Sequence, residues 1–205
     1  MNAASLSRVR VTGQFTPLIG ILVGALGGAI YWLAAQIWPS SVAVILSMAA
    51  TALLTTEFRD ATATRLDLIS RVLCLLIKYD ALMALSAAKL PFAMPANLPL
   101  ALIMICGYAA SFALLVSIVA ARAEKSAPKI GHGALSFALL VGFAPAILLG
   151  VPGLVGLAAA IVAGMLLIAL LRYRKIRASD DTLHLTQLAT EACFYLGVLA
   201  SWRFV

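Results

Sequence analysis

Seven long apolar runs, separated by short breaks that hold nearly all the charge, leave this chain one kind of place to fold. Hydrophobic residues make up 63% of it and charged residues 11%. A water-soluble globule of 205 residues with that balance lacks the polar surface to coat itself. In a bilayer, a helix satisfies its backbone polar groups within one segment, and a spanning helix takes about 20 mostly apolar residues. The runs near Phe15–Ile37, Val42–Thr56, Leu68–Ala88, Leu100–Ala121, Ala134–Leu149, Leu154–Leu171 and Leu183–Trp202 meet or approach that length. The expected fold is all-α, a polytopic transmembrane bundle of about six or seven helices forming one integral-membrane domain over residues 1–205. The second and fifth runs are short, which predicts tilted or broken helices or re-entrant hairpins. Met1–Arg10 followed by an apolar run imitates a signal peptide, but the run is too long and more spans follow, so it reads as the first helix.

The net charge of +7 raises the question of nucleic acid, and the placement of the charges answers it. With the N-terminus inside, the inner segments carry Arg8, Arg10, Arg59, Arg65, Arg122, Lys125, Lys129, Arg172, Arg174, Lys175 and Arg177. The outer segments carry Lys89 and Arg203. Such asymmetry reports orientation. It predicts a bacterial inner-membrane protein with a cytoplasmic N-terminus, in contact with the lipid bilayer and not with nucleic acid. Cys74, Cys106 and Cys193 each fall within a span, lack metal-ligand spacing and read as small core residues. Gly20, Gly24 and Gly28 recur every four residues beside Gly27, a face that lets two helix backbones approach. Packing within the chain is the favoured use of that face, ahead of a dimer. Tyr31, Trp32 and Trp38 read as an interfacial aromatic belt.

Arg71 and Lys78 break the rule of apolar spans, and an ionisable group in lipid is a functional candidate. Asp67, Arg71, Cys74 and Lys78 share one face of the third helix. Arg71 could pair with Asp67 four residues back, or meet Glu191 across the bundle. Lys78 could pair with Asp80 of a neighbour or snorkel outward. On the last helix Asp180, His184, Gln187 and Glu191 recur at helical spacing beside Thr190. A polar stripe running into an apolar helix must face protein or water. The two stripes together predict a polar cavity opening to the cytoplasm. The carboxylates and hydroxyls of Thr55–Asp67 are oxygen donors of the type that suits Mg²⁺, and the same stretch could equally be a solvated loop. Arg122–Gly133 reads as a topogenic loop. Arg172–His184 begins basic and turns acidic where Ser179 or Asp180 can cap the last helix.

These residues resemble the cobalamin synthase family, the adenosylcobinamide-GDP ribazoletransferases. The family's Thr-Gly-Asp-Thr-Leu-Gly-Ala, followed six residues later by glutamate, is similar to Ser179-Asp180-Asp181-Thr182-Leu183-His184-Leu185 with Glu191 in place. Thr16-Pro17-Leu18-Ile19-Gly20 resembles the family's Phe-Pro-Leu-Ile-Gly, and Leu75-Leu76-Ile77-Lys78-Tyr79 its Leu-rich stretch ending in Lys-Tyr. The order of segments matches over roughly Thr16–Leu199. The family's aspartate-rich metal motif departs here: Asp60 stands for the first aspartate, Arg59 for a histidine and Thr64 for the second aspartate, and the third has no counterpart. Two motif glycines are Asp180 and His184, and the chain is short for the family.

The resemblance implies a Mg²⁺-dependent transferase that joins adenosylcobinamide-GDP to α-ribazole, or its 5′-phosphate, and releases GMP. It implies Asp60, Asp181 and Glu191 as catalytic acids and Glu57, Asp60 and Asp181 as metal ligands. It implies Arg71, Lys78, Arg174 and Arg177 as phosphate-binding cations. A homo-oligomer, or a complex with other cobalamin-assembly enzymes, fits the same picture. Two alternatives stay open: a non-catalytic paralogue serving as a membrane scaffold or subunit, and a small transporter using the polar stripe. A transporter has against it the absence of clear inverted repeats. A nucleophile elbow, HExxH and GxGxxG are all missing.

Overall fold

The computed structural model describes residues 15–55, 65–87, 98–122, 132–173 and 180–202. Among them are seven helices: α1 (Thr16–Ala34), α2 (Ser40–Leu54), α3 (Arg65–Ala87), α4 (Leu98–Arg122), α5 (His132–Leu148), α6 (Val151–Tyr173) and α7 (Asp180–Trp202). Every apolar run has become a helix, and the described residues contain no strand, which makes this the all-α bundle that the hydropathy requires. Three helical stretches, Thr16–Ala34, Leu98–Ala120 and Val151–Leu170, are long and apolar enough to cross a membrane. At 1.5 Å per residue, the 15 residues of α2 and 17 of α5 reach only about 22 and 25 Å, short of a hydrocarbon core of about 30 Å. Both are unbroken helices. α5 carries Pro145 in its interior, where the ring nitrogen cannot donate to the Val141 carbonyl.

α4 is the axis of the bundle. It packs against α1, α5, α6 and α7 and touches α3. Leu100, Ile103, Met104, Tyr108, Ala109, Ala110 and Ala113 along it are buried. Glycine sets how closely its neighbours approach. A Cβ on Gly24 would stand 2.8 Å from the Ile105 Cα, and one on Gly28 3.0 Å from the Ala101 carbonyl oxygen. Gly20 faces Tyr108 and Phe112 in the same way, while Gly27 faces Thr51 on α2. The four glycines of α1 are therefore used inside the chain, as favoured above. The order of these contacts makes α1 antiparallel to α4. Gly156 against Phe194 and Val198, with Gly164 against Thr190, makes α6 antiparallel to α7.

α5 and α6 form the tightest hairpin. Only Leu149 and Gly150 separate them, and Gly150 takes φ +74°, the left-handed conformation a residue without Cβ accepts at a helix end. Its N–H donates to the Ile147 carbonyl, and its own carbonyl accepts from Leu154 at 3.0 Å. One expectation needs correcting. Trp32 and Trp38 are exposed, as belt residues should be, but Tyr31 is 1% exposed and belongs to the core. Its hydroxyl bonds Ser40 at the start of α2, so a phenol has joined a helix pair instead of reaching a headgroup.

Gly24→Val inserts branched bulk against α4 backbone and should lower stability by about 1–3 kcal/mol. Gly133→Ala, where an added Cβ meets nothing within 4 Å, should leave stability unchanged or slightly raised. Thermal unfolding in detergent, monitored by tryptophan fluorescence, checks the pair.

Candidate functional site

The polar stripes of α3 and α7 meet at the middle of both helices. Lys78 Nζ lies 2.8 Å from Glu191 Oε1, with the side chains 1% and 0% exposed. The ammonium also donates to the Tyr108 hydroxyl on α4 at 2.7 Å. It stands 4.5 Å from the centre of that ring, farther than from the oxygen, so the phenol oxygen and not the ring face holds it. Tyr195 Oη, one turn along α7, donates to the same Glu191 oxygen at 2.8 Å and reaches the Met104 carbonyl at 3.5 Å. Three helices thus converge on one ion pair.

Local sequence explains how each group arrives. Glu191 and Tyr195 are four residues apart and stack on one α7 face. Tyr195 comes close to α4 only because Gly107 is there: a Cβ at that position would stand 2.6 Å from the ring and 2.7 Å from the hydroxyl. Thr51 on α2 stands beside the Tyr108 hydroxyl. Thr51 in turn donates to the Ser47 carbonyl at 3.0 Å, and Ser47 Oγ donates to the Gly27 carbonyl at 2.7 Å. Polar groups therefore follow one another from the ion pair through α4 and α2 to α1. Thr186, Gln187 and Thr190 are buried beside Glu191. Thr186 and Thr190 donate to carbonyls of their own helix, at Thr182 and Thr186.

Arg71 lies two turns before Lys78 on α3. Arg71 is half-buried and engaged in a polar or electrostatic contact. A salt bridge of Glu191 is with Lys78. Lys78 neither pairs with Asp80, which is exposed, nor snorkels outward. A long side chain inside a bundle gains more from a carboxylate at 2.8 Å than from a stretch to the interface. Asp181 falls in the first turn of α7, its side chain outside the described residues. Glu57, Asp60, Arg174 and Arg177 also lie outside the described residues. Among the described residues no group of three or more acidic, His or Cys side chains is placed to hold a metal ion. Glu191 Oε1 receives both Lys78 and Tyr195. The cysteines are free, with Cys106 buried and Cys74 and Cys193 half-buried.

A family model described as cobalamin-5-phosphate synthase matches residues 3–59. An adenosylcobinamide-GDP ribazoletransferase of Ralstonia nicotianae is 32% identical over 230 positions, covering 92% of this chain and 84% of the relative. The chain belongs to this family. An enzyme of the same description from Leptothrix cholodnii is 48% identical over 52 residues, 25% of this chain and 20% of its own. No solved structure matches. The resemblance drawn from the sequence motifs is thereby established over nearly the whole chain.

Sequence reasoning missed Tyr108, Tyr195, Gly107, Ser47 and Thr51. Ser47, Thr51 and Thr55 recur every four residues on α2, the same signal that marked α7. The two tyrosines carried a weaker signal, a hydroxyl at mid-span where lipid offers it no partner.

Removing one partner of a buried ion pair strands the other charge, so Lys78→Met should destabilise the protein by about 3–5 kcal/mol. Glu191→Gln should act in the same direction, and the double variant should lose less than the sum of the two. A double-mutant cycle from unfolding in detergent should return a coupling of about 1–3 kcal/mol, and additive effects would refute the pair.

Proposed function

We infer that this chain is a membrane-embedded adenosylcobinamide-GDP ribazoletransferase. The observation that carries the reading is the match to the Ralstonia nicotianae enzyme over 92% of the chain. The meeting of the α3 and α7 polar faces supports it, because the motifs that resemble the family lie on those two helices. The ribose hydroxyl of α-ribazole, or of its 5′-phosphate, attacks the phosphorus that carries the cobinamide. A new P–O bond forms, the bond to GMP breaks, and GMP leaves with the electron pair.

The chemistry belongs at the inner ends of α3 and α7. The hydroxyl proton passes to a carboxylate there, with Asp60 and Asp181 the residues in position by sequence. Arg71, Arg174 and Arg177 neutralise the diphosphate, for which guanidinium forks suit phosphate oxygens. Mg²⁺, held by Glu57, Asp60 and Asp181, would supply the remaining neutralisation of the diphosphate when bound. The inner ends face the cytoplasm, since the cationic segments collect on that side of a bacterial inner membrane.

Purified protein in lipid nanodiscs, given adenosylcobinamide-GDP, α-ribazole and Mg²⁺, should release GMP and form the joined product. Chelation by EDTA should stop the reaction and added Mg²⁺ should restore it. Arg71→Ala should lower kcat/KM about 10²-fold, and Arg71→Lys should recover little because an ammonium does not replace a planar fork. No GMP release with any divalent cation would overturn the transferase reading in favour of the non-catalytic paralogue.

A further inference from the structure

The Lys78–Glu191 pair sits deep in the bundle, yet stability does not account for it. A buried ion pair gains in attraction about what it loses in desolvation, and apolar side chains of the same volume often serve stability as well or better. The pair also takes more holding than packing would require. Glu191 Oε1 receives Lys78 and Tyr195, Lys78 also donates to Tyr108, and Gly107 clears the space for the Tyr195 ring. The Lys78–Glu191, Lys78–Tyr108 and Gly107–Tyr195 contacts join α3 to α7, α3 to α4 and α4 to α7, while the Tyr195 hydroxyl holds Glu191 within α7. Sliding α7 against α3 and α4 by one residue, about 1.5 Å, would break the Lys78–Glu191 bridge and the fit of Tyr195 against Gly107.

We propose that Lys78, Glu191, Tyr108 and Tyr195 form a positioning clasp that fixes the register of α7 on α3. α3 and α7 each pack with α4 around this centre. Arg71 precedes Lys78 by seven residues, and His184 precedes Glu191 by seven. Each therefore lies two turns, about 10 Å, from the clasp toward the start of its own helix. The register set at the clasp decides where Arg71 stands relative to the first turn of α7, and with it the spacing between a phosphate-binding cation and the acids opening that helix. Lys78 and Glu191 act through those groups and touch neither substrate nor metal. The inference rests on the transferase reading for what is positioned, and on the contacts alone for the clasp itself.

The decisive variant is the charge exchange Lys78→Glu with Glu191→Lys. A phenol both donates and accepts, so Tyr108 can donate to a carboxylate at position 78 and Tyr195 can accept from an ammonium at 191. The comparison is the apolar pair Lys78→Met with Glu191→Leu. In nanodiscs the apolar pair should keep the thermal stability of the wild type and bind α-ribazole with KM within about 2-fold, while kcat falls at least 10-fold, since misplacement of about 1 Å can remove 10²-fold in rate. The exchanged pair should recover kcat to within about 3-fold of the wild type. If the apolar pair turns over at the wild-type rate, the pair is only structural and the proposal is overturned. If the exchange raises KM and does not restore kcat, Lys78 contacts phosphate directly and the proposal is equally overturned. Should the apolar pair not fold, Tyr195→Phe, which deletes one hydroxyl, takes its place with the same expected split.

A second readout needs no turnover. Spin labels at Ile69→Cys on α3 and Leu185→Cys on α7, with the native cysteines replaced by alanine, should give a narrow distance distribution in the otherwise native chain and in the exchanged pair. The distribution should broaden in the apolar pair, or in Tyr195→Phe if that takes its place. A narrow distribution in that variant overturns the clasp even if the enzyme is active. A wild type that releases no GMP overturns the transferase reading and leaves this measurement standing.

Discussion

A charge inside a membrane bundle must find its opposite, and that requirement organises this protein. Lys78 and Glu191 are each within 1% of complete burial. Either alone would carry the desolvation penalty of an ion without compensation. Together they oblige α3 and α7 to lie side by side, although three helices separate them in sequence. α4 is drawn in because Lys78 still has donors to place and the Tyr108 hydroxyl accepts one of them. Polar groups then continue outward to Thr51, Ser47 and the Gly27 carbonyl, which places the amino-terminal hairpin beside the same centre.

Close backbone approach is the second condition, and glycine supplies it. The contact of α1 with α4 passes through Gly20, Gly24 and Gly28, and that of α6 with α7 through Gly156 and Gly197. In lipid the helices gain little from hiding apolar surface, so contact area between backbones has to hold them. Gly107 joins the two conditions, since the absence of its side chain lets Tyr195 reach Glu191. A polar centre of this kind cannot be grafted onto a loosely packed bundle.

The fold was nearly all legible in the sequence, because a 20-residue apolar run has few other outcomes. Each of the seven runs became a helix, and the ends shifted by at most three residues at most boundaries. The site was legible in part. Helical spacing placed Lys78 and Glu191 on stripes that had to face protein. It could not say which cation would meet which anion, because the choice between Arg71 and Lys78 depends on the relative height of two helices, and spacing within one helix carries no information about height. Tyr31 was read as an interfacial residue for a similar reason: its distance from the run's end fits a belt, while its rotation about α1 turns it inward onto Ser40. The phenols at 108 and 195 were invisible because tyrosine in an apolar run looks like any other aromatic until its neighbours are known. Family membership came from the order of several short motifs, none specific alone, and a relative that aligns over 92% of the chain agrees.

The two-residue link between α5 and α6 has a consequence for biogenesis. With only Leu149 and Gly150 between them, and the turn closed by its own hydrogen bonds, neither helix can occupy the bilayer while the other waits outside. The pair has to leave the translocon as one piece.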